Sequence, residues 1–361
     1  MRTGIDEAFV QDTVRRMVDR RNVFSAVLRV ESGDGSLAHA SAAGEMRVDD
    51  RYFIASVTKL YVTTVVLRLK DEGRLRLDDR VIDFFPEGML AGLHVLKGVD
   101  YTGKITVAHL MSNTSGLQDY FFGKTVSGKS AADELLSGKD EPWPLGRILS
   151  TARTLKPRFP PGQRGHALYS DTNYELLGAV IERVTGKPIA QVFRDLIFDE
   201  LGLRDTYAFQ HVNDDTPARI YYRSQPVRLP RYLASVTAEG GIVSTAEECM
   251  RFLKAFFTGR FFPREEIEGL KQWNLVLRPG TFLYGLGLEK IFVPRFLKPF
   301  FPYGEILGFW GQTAAFAWCS PQNDLYFTGT ANQLGGPGHH AASQAILRIL
   351  KARARSPVRI R

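Results

Sequence analysis

Ser56 and Lys59 stand three residues apart in RYFIASVTKLYVTTVVLRLKDEG, residues 51–73, and an apolar run carries both into a helix that stops near Gly73. On an α-helix, residues i and i+3 share a face about one turn apart, so a serine at the start and a lysine one turn on can touch. Serine is a poor nucleophile until a base takes its proton. Apolar neighbours such as Phe53, Ile54 and Leu60 disfavour the charged form of a buried lysine. A helix N-terminus also favours a developing anion on Ser56. Taken alone, Ser-x-x-Lys is short enough to arise by chance, and Lys59 is then an ordinary solvated helix residue.

A second element lies at HALYSDTNYELLGAVIERVTG, residues 166–186, where Tyr169 and Asp171 occupy a polar loop ahead of a helix. A buried tyrosine beside a lysine cation can hold part of its charge as phenolate. It can then take the Ser56 proton and pass it to a leaving group. The structural alternative is a core tyrosine followed by a Ser/Asp helix cap.

With these two elements in view, the chain resembles the serine β-lactamase and penicillin-binding-protein superfamily, in its class C-like esterase and D-peptidase branch. FIASVTKLYVTTVVLRLKDEGRLRLDDRV is similar to that family's nucleophile helix and following loop. HLMSNTSGL, YSDTNYELLGAVIERVTG and AEGGIVSTAEECMRFL are similar to later blocks in the same order. The ordered set is specific where each segment alone is not. The resemblance implies an α/β fold in which an antiparallel sheet, built from the N- and C-terminal segments and flanked by helices, carries an inserted all-helical lobe, as in β-lactamases and transpeptidases. It also implies that Ser56 is the nucleophile, Lys59 its activating partner and Tyr169 the general base and acid. The expected course is acylation of Ser56 and attack by water on the acyl-enzyme, with no metal or organic cofactor.

The third motif departs from the family pattern. Where the family carries Lys-Thr-Gly or His-x-Gly, this chain has Phe309-Trp310-Gly311 followed by Gln312, within EILGFWGQTAAFAW. Gly311 allows close approach to the backbone, and the N–H of Gln312 would pair with that of Ser56 as an oxyanion hole. A register one residue later, Trp310-Gly311-Gln312, resembles the tryptophan-containing version found in some family esterases. In either register the cationic or imidazole side chain is gone. That side chain helps bind a substrate carboxylate, so its loss argues against stem peptides and β-lactams unless Arg219 or Arg223 replaces it. Asp171 stands where the family often has Asn. A carboxylate there favours the ammonium of Lys59 and shifts base duty to Tyr169; with Asp171 turned away, Asn173 supplies the contact instead.

The elements that must position these groups follow from periodicity. Residues 6–20 read as an amphipathic helix, and VFSAVLRVES and SLAHASAAGEM as two strands joined at Gly33-Asp34-Gly35. A helix over 175–185 ends at Gly186-Lys187-Pro188, and another covers 246–257. FLYGLGLEKIFV, TAAFAWCSP and LYFTGTANQ read as strands, the last two paired through Asn323-Asp324, before a final helix at about 339–352. Residues 1–75 and 236–361 are thus expected to build a sheet lobe and 76–235 a mainly helical lobe of one domain.

The 361 residues, 44% hydrophobic and 24% charged, can bury a substantial core. The net charge of +8 is spread over 47 basic and 39 acidic residues, and only the tail KARARSPVRIR is densely basic. No specific nucleic-acid partner is expected from that pattern. Cys249 and Cys319 read as buried thiols in a reducing compartment. The N-terminus lacks a signal-peptide core, and no apolar run spans a bilayer, so a cytoplasmic chain is expected. His339-His340 lack acidic or thiol ligands at metal spacing and read as a helix start. The pairs Phe121-Phe122, Phe256-Phe257, Phe261-Phe262 and Phe300-Phe301, with FVPRFLKPFFPYGE, are expected in the core, some lining an apolar acyl pocket.

The function expected is a serine hydrolase acting through an acyl-enzyme on a small-molecule carboxylic ester or small amide with an apolar acyl group. The alternatives are a D-amino-acid peptidase or β-lactamase, an acyltransferase, or a non-catalytic scaffold that kept the fold.

Overall fold

The computed structural model describes residues 4–276, 282–291 and 303–355. Phe300-Phe301, most of the segment around them and residues 356–361 of the basic tail lie outside the described residues.

The chain is organised by a nine-stranded sheet. Its strands are β1 (Ser25–Ser32), β2 (Ala38–Gly44), β3 (His166–Ala167), β4 (Asn274–Val276), β5 (Phe282–Tyr284), β6 (Glu289–Ile291), β7 (Leu307–Trp310), β8 (Ala315–Ser320) and β9 (Leu325–Thr330). In space they run β2-β1-β9-β8-β7-β6-β5-β4-β3, so the first strand pairs directly with the last and the second flanks it at the edge. Every neighbouring pair is antiparallel except β3 with β4 at one edge, and that edge strand comes from the mainly helical segment.

Both faces of the sheet are covered, as the side-chain period of two shows directly. Along β8, Phe316 and Trp318 pack with Val10, Val14 and Met17 of helix α1 (Glu7–Met17) and with Ile346, Ile349 and Leu350. The latter three belong to the C-terminal helix α5 (Gly336–Arg355). Ala315, Ala317 and Cys319 face the other way. There they meet a core shared by α2 (Thr58–Asp71), α3 (Asp171–Thr185) and α4 (Ala246–Thr258). In that core Tyr61 stacks on Phe252 with ring centroids 3.5 Å apart.

Three boundaries differ from the expectation, each for a local reason. The stretch expected as one strand from Phe282 is two, β5 and β6, folded back through a tight turn closed by Gly285 N–H to Leu288 C=O at 2.8 Å. Gly287 in that turn has φ +72°, and a Cβ there would lie 2.1 Å from Thr63 Oγ1 of α2. Helix α3 begins at Asp171 instead of Glu175. Its polar first turn is buried because Thr172 and Asn173 find partners on the 113–118 loop. Helix α1 ends at Met17, earlier than the expected residue 20.

Candidate active site

Helix α2 is buried along one continuous run, Thr58 to Leu67, with Lys59 fully enclosed. Two of its internal hydroxyls are satisfied locally, Thr63 donating to Lys59 C=O at 2.8 Å and Thr64 to Leu60 C=O at 2.9 Å. Ser56 sits just before it, in a single 3₁₀ turn, Ala55–Val57, that runs straight into the helix. Ala55 adopts φ +47°, a left-handed conformation uncommon for alanine, directly before the serine.

Two groups, one a helical turn on and one 113 residues on, converge on the Ser56 hydroxyl. Lys59 Nζ lies 3.0 Å from Oγ, and Tyr169 OH lies 2.7 Å from it. The same ammonium donates to Asp171 Oδ1 at 2.7 Å and to Glu239 C=O at 2.7 Å. Lys59 and Asp171 thus form a buried ion pair, and the amine's three donor directions are all filled. Asp171, not Asn173, supports the lysine. Asn173 accepts from Ser115 Oγ at 2.7 Å and donates to Asn113 Oδ1 at 2.7 Å, tying the start of α3 to the 113–118 loop.

Around this pair lies a set of carboxyl groups that sequence reasoning misses. Asp119, Glu175 and Glu239 are all held well above the usual carboxylate range, by burial first, with the charge of Asp171 adding to it in each and that of Glu175 adding to it in Glu239. Tyr120 and Tyr232 both donate to Glu239 Oε1, at 2.6 and 2.7 Å. Glu289 accepts the N–H of Trp310 at 3.1 Å, and burial pushes its carboxyl up to about 8. The phenol of Tyr169 is raised well above its ordinary value by burial, then by the charges of Asp171 and Glu289, so it rests as a neutral hydroxyl. The one sequence signal for these is Glu239, an acid directly before Gly240-Gly241 in an otherwise apolar stretch. Glu289 lies on a strand whose residues mark no face as special.

The end of β7 closes the site from the sheet side. A Cβ on Gly311 would lie 2.4 Å from Ile54 C=O and 3.1 Å from Ala55 Cβ, so only glycine permits this approach. Thr313 Oγ1 donates to Phe53 C=O at 2.8 Å, fixing the strand end beside the serine turn. Among the described residues, neither Ser56 N–H nor Gln312 N–H bonds to a protein acceptor. Both residues line one cavity of 1030 Å³ with Tyr169, Asp171, Trp310 and Gly311. Phe309 does not reach it: the ring is fully buried behind the site, edge-on to Tyr284 at 5.7 Å. Asn173 is likewise absent from the cavity wall.

One side of that wall is apolar. Phe121, Phe122, Leu135, Leu136, Ile220 and Leu233 contribute to it. Phe256, Phe257, Phe261 and Phe262 are core residues instead. Among the described residues, the wall's basic side chains are Lys124 and His339; Arg219 and Arg223 do not line it.

The chain as a whole is similar to known proteins. The β-lactamase family model covers residues 10–351, and the chain belongs to that family. Penicillin-binding protein 4 of Amycolatopsis lactamdurans is 27% identical over 231 residues, 60% of this chain and 53% of its own length. Esterase EstB of Burkholderia gladioli is 31% identical over 197 residues, 53% of this chain and 46% of its own. The chain thus spans about half the length of these curated relatives. Among solved structures, a D-stereospecific amidohydrolase from Streptomyces sp. superposes with a TM-score of 0.77 at 25% identity, covering 94% of this chain and 98% of that one. The mixed α/β fold with its large sheet is therefore of the β-lactamase/transpeptidase type. Among the described residues no helix is long and apolar enough to cross a membrane.

Proposed function

We propose that the protein is a serine hydrolase that forms an acyl-enzyme on Ser56 from a carboxylic ester or small amide, with the acyl group held in the apolar part of the cavity. The observation that carries this reading is the convergence on Ser56 Oγ of Lys59 Nζ at 3.0 Å and Tyr169 OH at 2.7 Å. The ion pair to Asp171 keeps Lys59 as a fixed positive charge beside the nucleophile, where it stabilises a developing alkoxide. Proton transfer then falls to Tyr169. As a neutral phenol it works as a relay: its oxygen receives the Ser56 proton while its own proton goes to the leaving oxygen or nitrogen. Water attacking the acyl-enzyme reverses the relay. The carbonyl oxygen is received by the free N–H groups of Ser56 and Gln312.

A neutral acyl group fits this cavity better than a carboxylate-bearing one. No lysine or arginine stands at the third motif, and Asp119, Asp171, Glu239 and Glu289 share the wall with the apolar residues. That supports the esterase reading over the peptidase and β-lactamase readings. The likeness to a D-stereospecific amidohydrolase is reason to test D-amino acid amides beside esters.

A fluorophosphonate probe should label the protein, and Ser56→Ala should abolish both labelling and p-nitrophenyl ester turnover, a loss of about 10⁴-fold or more. Equal turnover in Ser56→Ala refutes the serine mechanism. Intact-mass measurement after exposure to penicillin tests the peptidase and β-lactamase alternative: a stable adduct favours it, and an unmodified protein that still hydrolyses esters favours the esterase.

A further inference from the structure

We propose that His339 is a positioning residue for the oxyanion hole, acting through the peptide bond between Gly311 and Gln312. This rests on the assignment of Ser56 as nucleophile and of Gln312 N–H as one of the two oxyanion donors. His339 lies in the first turn of α5, far from Ser56 in sequence. Its Nε2 lies 3.0 Å from the carbonyl oxygen of Gly311. That carbonyl and the N–H of Gln312 belong to the same planar amide. A hydrogen bond to the oxygen fixes the plane and polarises the amide, which makes the N–H at its other end a better donor.

The neighbouring groups explain why the bond is needed. Trp310 N–H is held by Glu289 Oε2 at 3.1 Å, and Gly311 N–H by Ala315 C=O at 2.7 Å. Thr313 C=O accepts from Gln333 N–H at 3.1 Å and from Thr330 Oγ1 at 3.1 Å. The amide between residues 311 and 312 lies between these anchors, and its oxygen is fixed from the direction of the C-terminal helix. The imidazole is itself held in place, edge-on to Trp310 with ring centroids 5.5 Å apart. Its Nδ1 lies 3.1 Å from Gly335 C=O. Burial holds the ring below its usual pKa, so at neutral pH one proton must serve one of two carbonyls. On this proposal the proton sits on Nε2, directed at Gly311 C=O 3.0 Å away.

Two substitutions of similar size separate the two ring contacts. The amide of His339→Gln reaches the place of Nε2 and can still donate to Gly311. The amide of His339→Asn reaches only the place of Nδ1 and serves Gly335. His339→Asn should lower kcat for a p-nitrophenyl ester about tenfold to a hundredfold with KM little changed, less than the loss on deleting a direct donor. His339→Gln should recover most of kcat. The affinity for an aryl boronic acid, whose tetrahedral adduct places an oxygen in the hole, should fall in His339→Asn in parallel with kcat. A merely structural role would instead move the melting temperatures of both variants and leave the boronate affinity of the folded fraction intact. Equal kcat and boronate affinity in the two variants, or the reverse order, overturns the proposal while a dead Ser56→Ala leaves the serine mechanism standing. Turnover that survives Ser56→Ala overturns both.

Discussion

Ser56 and its partners stand at the ends of two long buried helices, whereas the apolar side of the same cavity is carried by short ones and by loops. Lys59 lies on α2, fourteen residues long, and Asp171 opens α3, fifteen residues long. Leu135 belongs to a six-residue helix, Ala131–Leu136, and Leu233 to a four-residue one, Pro230–Leu233. The polar side is closed: Lys59 is fully buried and every donor on it is used. The apolar side is partly open, with Phe122 and Leu136 each 38% exposed. Long packed helices hold donor and acceptor positions to a fraction of an ångström, which the chemistry of proton transfer needs. An apolar contact is non-directional and tolerates a looser support. Under the proposed function, the contrast puts the type of reaction on the rigid side and the choice of acyl group on the other.

The sharpest way to break this comparison is at Tyr169. Tyr169→Phe keeps the ring and its edge-on contact with Tyr284 at 5.9 Å but removes the hydroxyl proposed to relay the proton. Its kcat for an ester should fall by about 10² to 10⁴, while fluorophosphonate labelling slows and the fold, followed by circular dichroism, is unchanged. A Tyr169→Phe protein with wild-type kcat would move the proton-handling role to the Lys59–Asp171 pair.

A second prediction concerns the cost of burying acids on the polar side. The Glu289 carboxyl is raised from its ordinary 4.5 to about 8 by burial. Between those values the unfolded chain releases this proton and the folded chain retains it. Stability should therefore decline as pH rises through that window and level off above it. Glu289→Gln can still accept the Trp310 N–H and has nothing to titrate. Between pH 5 and 8 it should lose less stability than the wild type, by an amount on the order of a few kcal/mol. Urea midpoints across that range measure the difference, and parallel slopes in the two proteins would contradict it.

The smallest effect is expected on the apolar side. Phe122→Ser should raise KM for a long-chain p-nitrophenyl ester by about tenfold or less, with the acetyl ester and kcat nearly unaffected. A comparable loss on the acetyl ester would show that the wall supports the chemistry as well as the acyl chain.

The parts of the site legible in the sequence are those whose spacing is local. Ser56 and Lys59 are one helical turn apart, and Tyr169 opens a block that keeps its order relative to them. Pairing of the two N-terminal strands through the Gly33-Asp34-Gly35 turn is legible for the same reason. The choice between Asp171 and Asn173 is not, because it depends on how far the first turn of α3 reaches, and that turn has the composition of a loop. Its residues are polar, and they fold inward only because the 113–118 loop offers them partners. Glu289 and His339 are illegible as site residues because each makes its contact between distant segments, a strand neighbour and a helix start, and Glu239 shows only as an acid before Gly240-Gly241. Composition carries no trace of such contacts.

The nearness of Gly311 to the turn before Ser56 has a consequence for anyone remodelling this protein. Ala55 holds its unusual backbone angle with the α-carbon of Gly311 on one side and Gly240 on the other, where an added methyl would sit 3.5 Å from Ala55. The gap at residue 311 is thinner than a methyl group, so a library randomised there should return glycine alone among active clones. New selectivity would have to be introduced further out, where the surrounding surface still yields.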